Sequence, residues 1–359
     1  MINQDELLKE ISEVNGISGF EKEATRVVKK YFSDSCDEIQ YDNLGSIVGK
    51  KVGNEKGPKI LLTGHIDEVG FLVKSIDEDG YIRVHPIGGW WPHVILAQKV
   101  LITTREGKKC FGVFGAEPPH GMGPEARNKV KEAKDLYIDL GVHNKKEVEA
   151  LGIQIGDPVC PLSNFTRMNN PKYLYGKAWD DRIAVAAIIK TLDQLKGQEH
   201  DNIVYGAATV QEEVGLRGAK TVANMVHPDV AIAIDVTMCY DLPTVKDGQA
   251  KLGTGVALSL YDHSVIAHSG LVKYMEQICK EENIPFTYDG LAAGGTDSGE
   301  MHKVYDGVVN MTLSIPCRYF HSHSSIVHED DLEATTRLLT AFVKKLNAAD
   351  LEEIKKDKQ

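Results

Sequence analysis

An apolar stretch that runs without a break into two acids constrains this chain more than any other feature. Asn202–Gly215 reads NIVYGAATVQEEVG, a β-branched and proline-free run followed by Glu212, Glu213 and Gly215. The run has the character of a buried strand. Two bare carboxylates at the end of a core strand are costly unless a positive charge sits against them, and a metal ion is the simplest such charge. Three further segments repeat the arrangement. ILLTGHID ends in His65 and Asp67, DVAIAIDVT carries Asp235, and KAWDD sets Asp180 and Asp181 just ahead of a helix. In an open α/β sheet, ligands collect beyond the carboxyl ends of the strands, so four such segments predict one shared site.

The rest of the chain can be read around that frame. LLKEISEV, a GISG break and FEKEATRVVKKYF predict two helices, with Ser18 and Glu21 as a capping box for the second. EIQYDNLGSIVGKKV reads as a strand leading to ILLTGHID. From Val69 to about Leu162 the segments become short, Val/Ile-rich and separated by turn signals such as HPIGGWWP and TREGKK. That is an all-β pattern with one charged insertion, PPHGMGPEARNKVKEAKD. After it, strand and helix alternate: DRIAVAAIIKTLDQL, GLRGAKTVANMV, SGLVKYMEQICKEEN and a closing EDDLEATTRLLTAFVKKLN are the helical pieces. The expected fold is α/β, a mostly parallel sheet sandwiched by helices, with an inserted all-β barrel-like domain. Residues 1–67 and 165–359 would form the first domain and 68–164 the insertion. An all-β insertion has edges to cover, and a second copy could cover them.

Composition excludes several classes. With 359 residues, 42% of them hydrophobic, the chain can bury a substantial core. A net charge of −11 without a basic block argues against a nucleic-acid partner. No apolar run approaches the roughly 20 residues of a membrane helix, and MINQDELLKE lacks the form of a signal peptide. The six cysteines are scattered without a CxxC pair, which predicts reduced thiols in a cytoplasmic protein.

His65 and Asp67 are two apart on a strand and share a face. A metal-bound imidazole needs its second ring nitrogen held, commonly by a carboxylate, and Asp67 is placed to serve. Asp180 or Asp181 could simply cap the following helix. Asp235, amid Val, Ile and Ala, has no such alternative. CRYFHSHSSIVH offers His321, His323 and His328, and spacing does not separate His321 from His323. Glu212 and Glu213 point to different sides of an extended backbone, which suits a glycosidase poorly because its two carboxyls face each other across a bond. One acid on a metal and the other as base toward a metal-activated water suits them better.

GHIDEVGF, GKAWDDRIAVAA, VQEEVGLRGA, AIDVT, GGTDSGEMH and RYFHS occur in this order along nearly the whole chain. Together they resemble the M-forty-two type peptidases, the dinuclear metalloaminopeptidases of the tetrahedral-particle type, which include glutamyl and deblocking aminopeptidases. The resemblance implies a zinc-exopeptidase-like fold and two divalent ions per subunit, Zn or Co. Their ligands would be His65, Asp235, Glu213, His321 and a bridging Asp180, with Glu212 as general base and Asp67 positioning the metal site. The RYxHS pattern selects His321. It also implies release of N-terminal residues from short peptides and a homo-oligomer in which dimers, paired through the inserted domain, assemble to a dodecamer. Arg318 and the GGTDS loop would line the substrate side; relatives range from acid-selective to leucine-preferring. A related amidohydrolase acting on N-acyl amino acids is the alternative reading, with a glycosidase behind it.

Overall fold

The computed structural model describes residues 2–359. Its frame is an eight-stranded sheet in the order Glu38–Tyr41, Ile47–Val52, Ile203–Thr209, Lys59–His65, Val230–Met238, Val309–Cys317, Val256–Ser259, Phe286–Asp289. The four strands Ile203–Thr209, Lys59–His65, Val230–Met238 and Val309–Cys317 are mutually parallel, so their carboxyl ends share one edge. Side chains alternate between two cores, as the period of a strand demands. Ile60 and Leu62 pack with Ile183 and Ile188 of helix Trp179–Gln194. Leu61 packs on the other side with Ala219 and Val222 of helix Arg217–Val226. Helices therefore cover both faces, which is why these strands are apolar throughout rather than alternating.

Between Lys59–His65 and the rest of the sheet the chain builds a closed barrel from Gly70–Ile76, Ile82–Ile87, Lys99–Thr103, Lys109–Gly115, Tyr137–Asp139 and Pro158–Pro161. Phe71, Val84, Ile102, Phe114 and Ile138 fill its interior. Closure removes free strand edges, so the expectation that a second copy must cover such edges loses its physical basis.

A small sheet of Thr166–Arg167, Tyr173–Gly176 and Ser325–His328 was not foreseen. It pairs Gly176 with Ser325, which sets the KAWDD and RYFHS segments side by side. Other local expectations are corrected too. EIQYDNLGSIVGKKV is a hairpin rather than one strand, because Asp42 Oδ1 accepts from the amides of Leu44, Gly45 and Ser46 and turns the chain. The capping box fails: helix Lys22–Ser35 has no side-chain cap, and Ser18 is drawn to Asp67 instead. Helix Glu329–Lys345 is not the last, since Asn347 caps a further helix, Ala348–Lys356. All six cysteines are free thiols. Among the described residues no helix is long and apolar enough to cross a membrane.

Candidate active site

His65 closes its strand, and Glu212 and Glu213 lie in the turn just beyond Ile203–Thr209. Asp235 sits within Val230–Met238, and His321 follows Val309–Cys317. Asp180 comes from the start of helix Trp179–Gln194. All of them meet at the shared edge of the parallel strands. Asp180 stands between the two histidines: its Oδ1 is 3.1 Å from His65 Nε2 and its Oδ2 is 3.2 Å from His321 Nε2. Each ring is oriented from its other nitrogen by a main-chain carbonyl. His65 Nδ1 lies 3.0 Å from the Asp67 oxygen and His321 Nδ1 2.6 Å from that of Gly89. With Nδ1 donating, both Nε2 atoms are turned toward the carboxylates.

Two groups of three side chains have ligand atoms within 4.8 Å of one another, His65–Asp180–Asp235 and Asp180–Glu213–His321. They share Asp180. Glu212 belongs to neither, and its Oε2 lies 3.8 Å from His65 Nε2. The charge balance shows what these groups lack. Burial pushes the Glu212 and Asp235 carboxyls well above the usual range, and Glu213 up to about 7. Burial opposes ionisation of Asp180 as well, but hydrogen bonds from His321 and His65 hold its carboxyl below the usual range. For His321 burial works downward, yet Asp180 and Glu213 lift it to about 10. Four buried carboxylates thus face two imidazoles, a deficit of positive charge that divalent cations are suited to make up. Imidazole nitrogen with carboxylate oxygen is also a donor set that first-row divalent metals accept.

Asp67 holds the His65 ring through its main-chain oxygen more closely than through its carboxylate. It is fully buried, and its Oδ1 lies 3.5 Å from His65 Nδ1, farther than its own main-chain oxygen. Its carboxylate instead accepts from the amides of Glu212 (3.0 Å) and Glu213 (3.2 Å) and from Ser18 Oγ (2.6 Å). It thereby fixes the turn that carries both glutamates. Asp181, set aside at first as a possible cap, is fully buried; its Oδ2 accepts from the His65 amide at 3.2 Å. Beside the site, Glu68 pairs with both the buried Lys177 (2.6 Å) and Arg182 (3.1 Å).

Gly88 and Gly89 escaped notice in the sequence, where they read only as a turn in HPIGGWWP. They follow barrel strand Ile82–Ile87 and reach the site, and the aromatic pair after them was the available signal. Trp90 stacks on Phe71 of the barrel at 4.7 Å and meets His323 at 5.3 Å. His323 is buried against Trp90 and belongs to neither group of candidate ligands. Arg318 is held by Asp241 at 2.6 and 3.1 Å and does not line the cavity, contrary to expectation. His120 lies exposed in a turn of the insertion.

A cavity of about 920 Å³ opens over the two groups of candidate ligands, with the Gly294–Thr296 loop in its wall, as the resemblance implied for GGTDS. A comparison of the sequence with family models matches residues 45–338 to the M42 glutamyl aminopeptidase family. The chain belongs to the M42 peptidase family. As an M42 peptidase it is a metal-dependent aminopeptidase, a hydrolase of peptide bonds. Among its M42 relatives is a glutamyl aminopeptidase of Lactococcus lactis subsp. cremoris, 34% identical over 350 residues, covering 97% of this chain and 98% of the relative. A TET aminopeptidase from the archaeon Thaumarchaeota archaeon SCGC AB-539-E09 superposes with a TM-score of 0.95 at 39% identity, over 98% of each chain. The TET1 peptidase of Pyrococcus horikoshii, described as assembling into a tetrahedron or a large octahedral shell, aligns with a TM-score of 0.86 at 31% identity. That alignment covers 96% of this chain and all of the other.

Proposed function

We propose that this M42 peptidase releases single residues from the free amino end of short peptides, with hydrolysis centred on Asp180. What supports the reading is the pair of three-residue groups that share this one carboxylate. In it His65, Asp180 and Asp235 would hold one divalent ion and Asp180, Glu213 and His321 would hold a second, zinc or cobalt by their mixed nitrogen and oxygen donors. Such ions, when bound, make water more acidic and polarise a peptide carbonyl.

The chain's own groups do the rest. Glu212, outside both groups and facing the cavity, takes the proton of the attacking water and returns it to the leaving amine. Asp67 holds the Glu212–Glu213 turn through two amides, so neither carboxyl can swing away. His65 and His321 keep their orientation through the Asp67 and Gly89 carbonyls. The carboxylates of the floor suit an α-ammonium group, which is how an exopeptidase tells a chain end from a chain interior. For the assembled state we propose a homo-oligomer reaching a dodecamer, by analogy with a 31%-identical TET1 peptidase described as a dodecamer, with the inserted barrel as the dimer contact that the family resemblance implies.

The experiment is a paired hydrolysis of one peptide with a free and with an acetylated amino end. The free form alone should be shortened, one residue at a time. Equal cleavage of the acetylated peptide would mean that no terminus is recognised, and release of acetate or of an acyl group would move the assignment to the amidohydrolase alternative.

A further inference from the structure

The walls of the cavity over the metal-binding groups carry enough chemistry to choose between classes of substrate; the choice rests on the aminopeptidase reading above. We infer that this enzyme prefers peptides whose first residue is uncharged and apolar, such as leucine, methionine or phenylalanine, over those beginning with an acidic or a basic residue. Beyond the histidines and carboxylates of the floor, the walls present Met238, Tyr240, Tyr261, Leu291 and Ala292. No lysine or arginine lines the cavity among the described residues. A glutamate side chain entering here would give up water with no guanidinium or ammonium in the walls to meet it. Arg318, the basic residue expected on this side, is already engaged by both oxygens of Asp241.

A basic first residue fares no better. Asp262 is the one carboxylate in the wall, and its oxygens are spoken for. Oδ1 accepts from Ser264 N (2.6 Å), Ser264 Oγ (2.7 Å) and Val265 N (2.9 Å), and Oδ2 accepts from Thr296 Oγ1 (3.0 Å). It is buried and braces its own loop, which leaves little of it to meet a lysine ammonium. His263, the only imidazole in the walls, is exposed. The two loops that form this side are zipped together: Leu260 N donates to Asp289 O (2.9 Å), Leu291 N to Tyr261 O (3.1 Å) and His263 N to Gly294 O (3.0 Å). Tyr261 also lies against Gly290, where an added Cβ would come within 2.6 Å of the ring. The apolar wall is therefore a built surface and not a flexible rim that a charged side chain could push aside.

The test uses the purified protein loaded with Co²⁺ and a set of aminoacyl anilides bearing Leu, Met, Phe, Glu, Asp, Lys and Arg. The expected kcat/KM for Leu and Met exceeds that for Glu and Lys by roughly 10²-fold, the scale on which a site rejects a group it leaves unpaired. Glu or Lys within threefold of Leu overturns the inference. A second arm supplies the missing charge: Leu291→Arg should raise the Glu-to-Leu ratio by roughly two- to fivefold, about what one partly exposed ion pair provides. An unchanged ratio would mean that these walls do not contact the first side chain, and the inference falls. Hydrolysis of none of the substrates by either protein would sink the aminopeptidase reading, and this one with it, whereas a reversed order of substrates would sink this one alone.

Discussion

Glu212 and Glu213 are chemically identical and one peptide bond apart, yet they face different neighbours. Glu213 points to Asp180 and His321; Glu212 points to His65 and the cavity, outside either group of ligands. Replacing Glu212 by Gln should leave metal content near normal and lower turnover by roughly 10²–10⁴-fold, the range for loss of a general base. Glu213→Gln puts a neutral amide where an anion faced a dication, so one ion should be lost on dialysis and part of the rate regained in excess Zn²⁺ or Co²⁺. Metal stoichiometry and turnover measured on both variants decide the matter. Loss of metal from the Glu212 variant but not the Glu213 variant would exchange their roles. The sequence made this pair legible because two acids after an apolar run leave a charge imbalance that few structures tolerate. It did not make Ser18 legible as Asp67's partner: the same residue also reads as a helix cap, and only tertiary distance separates the two uses.

Among the elements, the turn after barrel strand Ile82–Ile87 bears on catalysis without supplying a side chain. Gly88 has φ +79°, and a Cβ there would stand 2.7 Å from Val69 Cγ1 and 3.2 Å from Glu213 Oε2. Gly88→Ala should therefore displace Glu213 or the turn itself. Turnover should fall roughly ten- to a hundredfold, since a shift on the order of 1 Å at reacting groups costs about that much. Full activity in a variant whose circular dichroism is unchanged would show that the turn is free to move. The buried trio beside the site supports the fold instead. Glu68→Ala leaves Lys177 and Arg182 buried without a counter-charge, an expected loss of about 3–5 kcal/mol seen as a lower urea midpoint. Arg182 also donates to the carbonyls of Ile11, Ser12, Val14, Gly16 and Ile66, so an unmoved midpoint would mean that these suffice.

For the whole molecule, the predicted dependence on metal is absolute: dialysis against a chelator should abolish hydrolysis, and Zn²⁺ or Co²⁺ but not Ca²⁺ should restore it. Activity surviving in a metal-free sample contradicts the entire mechanism. Light scattering should find a large assembly at working concentration, and a fully active monomer would remove assembly from the account. The overall architecture was legible because long apolar strands alternating with amphipathic helices admit few arrangements, and because parallel strands deliver their ends to one edge. The three-stranded sheet was not, since its strands are two to four residues long and leave no period to read. Nor was the Gly89 carbonyl: every residue has one, so nothing in its letter marks it. The helix Ala348–Lys356 could have been read from its Asn347 cap.

The hydrogen bond from His321 to Gly89 limits how such a chain can be recombined. The inserted barrel has its own core and closed edges, and so looks like a cassette that could be traded between proteins. Yet one of its peptide units holds an imidazole of the catalytic half. A foreign cassette would have to bring a carbonyl to the same point, and a deletion would leave His321 free to turn. Shuffling at this junction is therefore filtered by activity even where it is harmless to folding.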